Sequence, residues 1–189
     1  RFRSSLEAWG KDLRFWMRFP TRQGEMVTVK TAVSAVSSDG AKLNMQELEG
    51  KTFASLKAEG EKLWEGQLSK FKIEATPEQR ETFYTSVYHA FLHPFIFQDA
   101  DGKFRELDKN IGQAEGFTNY TVFSLWDTYR ALHPLFNLVQ REINVDIVNS
   151  MLAHYDKSVE HMLPVWSFYG NETWCMIGYH AVSVIAYAI

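Results

Sequence analysis

The chain has 189 residues, of which 46% are hydrophobic and 23% are charged, and its formal net charge is −3. This balance permits a packed core and argues against both wholesale disorder and nucleic acid as a partner, since phosphate binding needs a concentrated basic surface. Aromatic residues reach 15%, with six Trp. Such a content indicates either an aromatic-rich core or a sugar site, where aromatic rings stack on pyranose faces.

The first 40 residues are predicted to be β-structure. Strands are predicted over Leu13–Phe19 and Met26–Val36, separated by a Pro and Gly turn at residues 20–24. From Val27 onward, apolar side chains alternate with mostly polar ones, which is typical of a half-buried strand. The turn residues at 38–40 close this segment.

Helical periodicity follows this β-segment. A short helix is predicted over 41–48 and a longer one over 53–71. A third opens at Thr76, with Pro77 at the first helical position and Gln79 completing a capping box, and it ends by Pro94.

Two motifs in the middle of the chain resemble metal sites. His89 and His93 have the i, i+4 spacing of zinc ligands on one helix face, but Ala90 stands where zinc peptidases have Glu, so a pair of structural histidines is the alternative. The segment Asp99–Gly102 resembles the start of a calcium loop, but its Gly comes fourth where the EF-hand needs it sixth. A tight turn is therefore predicted there.

The second half of the chain alternates amphipathic and fully apolar helical segments. An irregular stretch over 94–123 precedes a helix at 124–134, an amphipathic helix over 144–162 and an apolar one over 174–189, in which Cys175 is predicted to be buried. No stretch reaches the roughly 18 apolar residues that span a bilayer. Outer and inner rings of helices would produce this alternation, as in a toroid of paired helices; a stacked helical array would too.

A carboxylate stands beside Trp at the start of two of these predicted helices. Asp127 follows Trp126, and Glu172 precedes Trp174 by two residues. One interpretation is helix capping, since carboxylates are favourable at helix N-termini. The other is a sugar site, because glycoside hydrolysis needs two carboxylates and the loops before inner helices would converge on one pocket.

Several blocks, taken together, resemble glycoside hydrolase family 92. They are Phe83–His89, Asp101–Gly102, Tyr120–Leu135, Asn149–Leu152, Leu163–Trp166, Gly170–Thr173 and His180–Val182. The resemblance implies a calcium-dependent, inverting exo-α-mannosidase that removes terminal α-linked mannose, most often α-1,2, from glycans. It also implies a secreted, periplasmic or cell-surface enzyme. The fold implied is mostly α, the first half of an (α/α)6 toroid preceded by the end of a β-sandwich domain.

The resemblance further implies that Trp126 and Asp127 line the terminal-mannose subsite, where Asp127 binds sugar hydroxyls, and that Asn171 and Glu172 belong to the wall of the substrate site. Trp174, which follows Glu172 by two residues, completes the predicted substrate-binding set. The family's general acid and base lie in Glu-Gly-Asn-x-Trp-Gln-Tyr and Gly-Asn-Asp type blocks, and neither block occurs here. Both are expected beyond Ile189, as are the Ca²⁺ ligands. The chain, which starts at Arg1 and ends in an apolar run, is therefore expected to be an internal fragment that is inactive alone.

The predicted domains are the end of an N-terminal β-sandwich over 1–40, linker helices over 41–76 and a partial (α/α)6 catalytic domain over 77–189. The expected partners are a mannose-containing glycan and the remainder of the same enzyme, with no nucleic acid and no membrane span. The alternative function is a non-catalytic, carbohydrate-binding helical module, for which the Trp residues would suffice.

Overall fold

A computed structural model of the chain describes residues 9–188, and these residues are mostly helical, as predicted. Within them, no helix is both long and apolar enough to cross a bilayer. The helices are α1 (Ser38–Met45, continued by a 3-10 turn over Gln46–Leu48), α2 (Phe53–Leu68), α3 (Pro77–Ala90), α4 (Leu125–Thr128), α5 (Leu132–Val139), α6 (Arg141–Lys157) and α7 (Ala181–Ala188). The strands are β1 (Phe95–Ile96), β2 (Lys103–Arg105), β3 (Ile111–Gln113), β4 (Tyr120–Thr121), β5 (Ser167–Phe168) and β6 (Asn171–Glu172).

The starts of α2 and α3 are set by local capping. Thr76 Oγ1 accepts from Gln79 N at 3.4 Å, and the Gln79 side chain accepts from Thr76 N at 3.1 Å. Thr52 and Ser55 form the equivalent pair before α2. Each capping box satisfies backbone N–H groups that would otherwise lack a partner inside the helix. The predicted opening of α3 at Thr76 is therefore confirmed.

The core lies where α4, α5, α6 and α7 meet. Its buried members are Phe123, Leu125, Phe136, Ile147, Met151, Ala181 and Val184. The strands form three separate antiparallel pairs, β1 with β4, β2 with β3 and β5 with β6. The first two pairs lie inside the stretch predicted to be irregular, 94–123, and the third lies between the last two predicted helices. The tight turn predicted at residues 99–102 is confirmed, since Gly102 N donates to Asp99 O at 2.8 Å.

The predicted strands over 13–19 and 26–36 are wrong within the described residues, which form no ladder there. Side chains hold the end of this segment instead: Asn44 donates to Val33 O at 3.0 Å, and Ser34 donates to the buried Asp99 carboxylate at 2.6 Å. Because Ser34 turns inward, the valine side of the alternation faces outward, and Val33 is 85% exposed. A strand needs a partner edge, and period two alone supplies none.

The helix predicted over 174–189 begins only at Ala181. Trp174 and Met176 have φ values of 54° and 67°, and Gly178 has φ 99°, so residues 174–178 cannot follow a right-handed helix. These residues are exposed, including Cys175, which was predicted to be buried. An apolar run does not by itself mean burial on every side.

Candidate functional site

Trp126 and Asp127 lie on the outward side of α4. Leu125 is fully buried in the core and anchors this single turn. The next two side chains therefore face away from the core: Trp126 is 36% exposed and Asp127 is exposed. The position predicted for sugar binding is thus accessible in this part of the chain.

The Asp127 carboxylate is held through one of its oxygens. The Ser124 hydroxyl donates to Asp127 Oδ2, and Asp127 N donates to Ser124 O at 3.0 Å. The Ser124 side chain does not cap the helix backbone. Among the described residues no donor reaches Asp127 Oδ1, so this oxygen is open to an external hydroxyl.

Three side chains that the sequence analysis missed surround Trp126. The guanidinium carbon of Arg130 lies 5.9 Å from the Trp126 ring centre and 5.1 Å from that of Tyr129. His180 stacks on Tyr129, with ring centres 4.0 Å apart and planes within 10°, and its ring centre lies 5.6 Å from that of Trp126. We call Trp126, Tyr129, Arg130 and His180 the aromatic cluster. The helical spacing of residues 126, 129 and 130 was a signal for three members, but nothing local indicated His180.

Glu172 lies in the β5–β6 hairpin and not before a helix, so the capping interpretation is wrong for this residue. Its Oε1 accepts from Trp166 N at 2.8 Å and Trp174 N at 3.0 Å, and its Oε2 accepts from Val165 N at 3.0 Å. The side chain is only 9% exposed. Three backbone N–H groups thus occupy the carboxylate, which holds the two arms of the hairpin together.

His154 is the side chain beside Glu172, with Nε2 3.7 Å from Oε2. Burial lowers the pKa of His154 to about 4, although the Glu172 charge acts in the opposite direction. At neutral pH the imidazole is therefore uncharged, and the contact is not an ion pair. The Glu172 carboxylate depends on the backbone N–H groups for its stabilisation.

Asn171, Glu172 and Trp174 line one cavity of about 230 Å³ beside the C-terminal end of α6. Lys109 Nζ donates to the Asn171 side-chain oxygen, and Asn171 Nδ2 donates to Tyr169 O at 3.2 Å, so this amide is also engaged within the chain. Trp174 is half-exposed at the rim. Neither Trp126 nor Asp127 lines this cavity. The predicted convergence of Asp127 and Glu172 on one pocket is therefore not seen in the described residues.

His89 and His93 do not share a helix face, because α3 ends at Ala90 and His93 lies beyond it. Both line a different cavity of about 360 Å³, together with the buried His133, whose pKa burial lowers to about 4. Within residues 9–188, no three His, Cys, Asp or Glu side chains are placed to hold a metal ion. The helical zinc pair considered from the sequence is not formed.

Comparison with known proteins points to carbohydrate enzymes. Residues 40–189 match the model of the glycosyl hydrolase family 92 catalytic domain. The chain is 75% identical to the family 92 α-mannosidase BT3965 of Bacteroides thetaiotaomicron, solved in complex with mannoimidazole, with a TM-score of 0.80 over 81% of this chain and 20% of that one. A search among curated proteins finds no match.

Two more distant structures are also similar. The inverting mannosidase BT2199 of the same organism is 28% identical, with a TM-score of 0.72 over 80% of this chain and 21% of that one. The family 92 glycosyl hydrolase ccman5 is 25% identical, with a TM-score of 0.62 over 66% of this chain and 17% of that one. The chain thus spans about a fifth of the length of each structure that it matches.

Proposed function

The chain belongs to glycosyl hydrolase family 92, and we propose that it forms part of the terminal-mannose subsite of an inverting exo-α-mannosidase. The enzyme would release terminal α-linked mannose, α-1,2-linked above all, from glycans. Support comes from the 75% identity to an α-mannosidase solved with mannoimidazole and from the similarity to an inverting mannosidase.

The observation that carries the proposal is Asp127, whose Oδ1 is open while Ser124 holds Oδ2. A carboxylate held in this way can accept hydrogen bonds from sugar hydroxyls, each contributing about 1.5–3 kcal/mol. The neighbouring Trp126 ring is partly exposed and supplies an apolar surface for the C–H face of a pyranose. Asn171, Glu172 and Trp174 would then support the wall of the subsite, since the polar groups of the first two are engaged within the chain.

The proposed architecture is the first half of an (α/α)6 toroid over 77–189, linker helices over 41–76 and the end of a β-sandwich over 1–40. The packing of α5, α6 and α7 around one core agrees with paired helices. The exposed valines of the extended segment, Val27, Val29 and Val33, agree with a neighbouring β-domain that would cover them.

The chemistry would be completed by groups outside this chain. Hydrolysis with inversion uses a carboxylic acid that protonates the leaving oxygen and a carboxylate that activates water. Asp127 does not line the cavity that Glu172 lines, and the two carboxylates are not proposed for these roles. The described residues also offer no group of three or more His, Cys, Asp or Glu side chains that could hold Ca²⁺. The Ca²⁺ ligands, like a secreted or cell-surface location, are proposed from the family resemblance.

The test compares residues 1–189 with the full-length gene product on an aryl α-mannoside, with calcium and with a chelator. We expect turnover by the full-length protein only, its loss on chelation, and β-mannose as the first anomer seen by NMR. Calcium-dependent turnover by residues 1–189 alone would contradict the proposed division of the active site. Mannan binding without turnover by the full-length protein would favour the alternative, a carbohydrate-binding module.

A further inference from the structure

His180 is held firmly by its backbone at the start of α7. Its carbonyl oxygen accepts from Val184 N at 3.1 Å and from the Ser183 hydroxyl at 3.2 Å. The following residue, Ala181, is fully buried in the core. The backbone of His180 is therefore fixed beside the core, and the contacts of the ring then set the direction of the imidazole.

The imidazole lies close to both Tyr129 and the backbone of Gly178. Its ring stacks on Tyr129, and a Cβ added at Gly178 would overlap Nε2 and lie 2.7 Å from Cε1. Gly178 also has a φ of 99°, which disfavours any larger residue. Backbone and ring can approach this closely only because residue 178 has no side chain.

Hydrogen bonding does not explain the position of the His180 ring. His180 Nε2 is buried and has no hydrogen-bond partner among the described residues. A buried polar atom without a partner lowers stability, so hydrogen bonding by this nitrogen is not what His180 adds to the fold. What it adds is a flat ring that stacks on Tyr129 and fits against the backbone of Gly178.

The neighbours of that ring are the residues on either side of Asp127 in the turn. Trp126 precedes Asp127 and lies against His180, and Tyr129, two residues after Asp127, stacks on it. The guanidinium of Arg130 packs on the rings of both Trp126 and Tyr129, and its Nε donates to the Tyr129 hydroxyl at 2.7 Å. Both flanks of Asp127 are thus supported by one side chain, that of the residue directly before α7.

We propose that His180 is a positioning residue for the mannose subsite. It holds the turn that carries Trp126 and Asp127 in the orientation that meets the hydroxyls of the terminal sugar. This inference rests on the proposed function and deepens it, since it assigns a residue that touches Trp126 of the sugar-binding pair and not the sugar itself. Small displacements of a substrate-positioning group cost about 100-fold in rate when they approach about 1 Å.

The test uses the full-length enzyme and the variants His180→Ala, Asp127→Asn and the double variant. We expect His180→Ala to lower kcat/KM for an aryl α-mannoside by about tenfold or more and to weaken mannoimidazole binding. The matched control is His161→Ala, because His161 also packs on a tyrosine, Tyr155, but lies outside the aromatic cluster. This control should stay within about twofold of wild type.

The double variant separates positioning from general destabilisation. If His180 acts through the turn, Asp127→Asn costs much less in the His180→Ala background than in wild type. Independent, multiplying effects would overturn the proposal, as would a His180→Ala enzyme within twofold of wild type.

A spectroscopic measurement keeps this inference distinct from the proposed function. Acrylamide quenching of Trp126, taken as the difference between proteins with and without Trp126→Phe, should rise in His180→Ala. Unchanged quenching refutes the positioning role. A wild-type protein that turns over no α-mannoside refutes the proposed function instead, whatever the quenching shows.

Discussion

Replacing Glu172 with Gln tests whether this residue binds substrate directly or supports the hairpin. In the structure its carboxylate accepts from the backbone N–H groups of Val165, Trp166 and Trp174, at 2.8–3.0 Å. Glutamine keeps the size and shape of the side chain but offers one oxygen in place of two. The oxygen can take the position that serves Trp166 and Trp174, which leaves the NH2 group facing the N–H of Val165.

The magnitude follows from this geometry. One charge-assisted hydrogen bond, which contributes about 1.5–3 kcal/mol, is lost, and a donor then faces a donor. The other two bonds change from charged to neutral acceptors and weaken by about 1 kcal/mol each. The local free energy of opening of the hairpin should therefore fall by about 3 kcal/mol or more, which is roughly a hundredfold in the opening equilibrium.

Hydrogen exchange measured by mass spectrometry on the full-length protein reads this equilibrium directly. In Glu172→Gln, peptides covering residues 163–176 should exchange roughly a hundredfold faster at the hairpin amides, while α3 stays unchanged. Glu160→Gln is the matched control, because Glu160 lines the same cavity but is exposed. Its effect should stay within about 0.5 kcal/mol.

Exchange at wild-type rates in Glu172→Gln would refute this reasoning. If mannoside affinity fell at the same time, Glu172 would be a direct sugar ligand. Faster exchange accompanied by weaker binding would instead show that the hairpin supports the subsite from behind.

Three further predictions follow from the same structure. Asp127→Asn should lower kcat/KM of the full-length enzyme on an aryl α-mannoside by roughly ten- to a hundredfold, while Asp156→Asn, at an exposed site on α6, should not. The free energy of unfolding, measured with urea, should fall as pH drops from about 6.5 to 4, by on the order of 3 kcal/mol for each of His133 and His154. In this pH range the two histidines take up protons in the unfolded chain, whereas burial keeps their pKa in the folded protein at about 4. Residues 1–189 alone should bind a hydrophobic dye, since Ile177 and Tyr187 are 75% and 72% exposed, and the full-length protein should not.

A different result would contradict each of these three predictions. Activity of Asp127→Asn within about twofold of wild type would make that carboxylate a feature of the turn alone. Stability independent of pH between 4 and 6.5 would show that neither histidine is kept neutral by burial. A monodisperse 189-residue monomer without dye binding would show that its exposed apolar side chains need no cover, and would revive the self-contained binding module.

Local signals in the sequence predicted the helical class and the starts of α2 and α3. The capping box at Thr76 and Gln79 determines where α3 begins, because both partners lie within one turn of the same chain segment. Seven blocks of residues also sufficed to indicate the family that the match over residues 40–189 shows. A capping box depends on residues that lie close together in the sequence, and a family resemblance depends on the order of its blocks along the chain.

Only the tertiary structure decided which partners the remaining residues meet. The alternation after Val27 predicted a strand, but a strand forms only against another edge. Ser34 instead turns inward because its hydroxyl donates to the carboxylate of Asp99, a residue 65 positions further along the chain. Glu172 and Asp127 are both carboxylates near a Trp in the sequence. In the structure, however, three backbone N–H groups donate to Glu172, while Asp127 keeps one oxygen open. His180 meets Tyr129, 51 positions earlier in the chain, because Tyr129 packs against the core that contains Ala181, the residue after His180. Burial, hydrogen-bond occupancy and close approach between distant segments depend on the whole arrangement of the chain, and no local pattern encodes them.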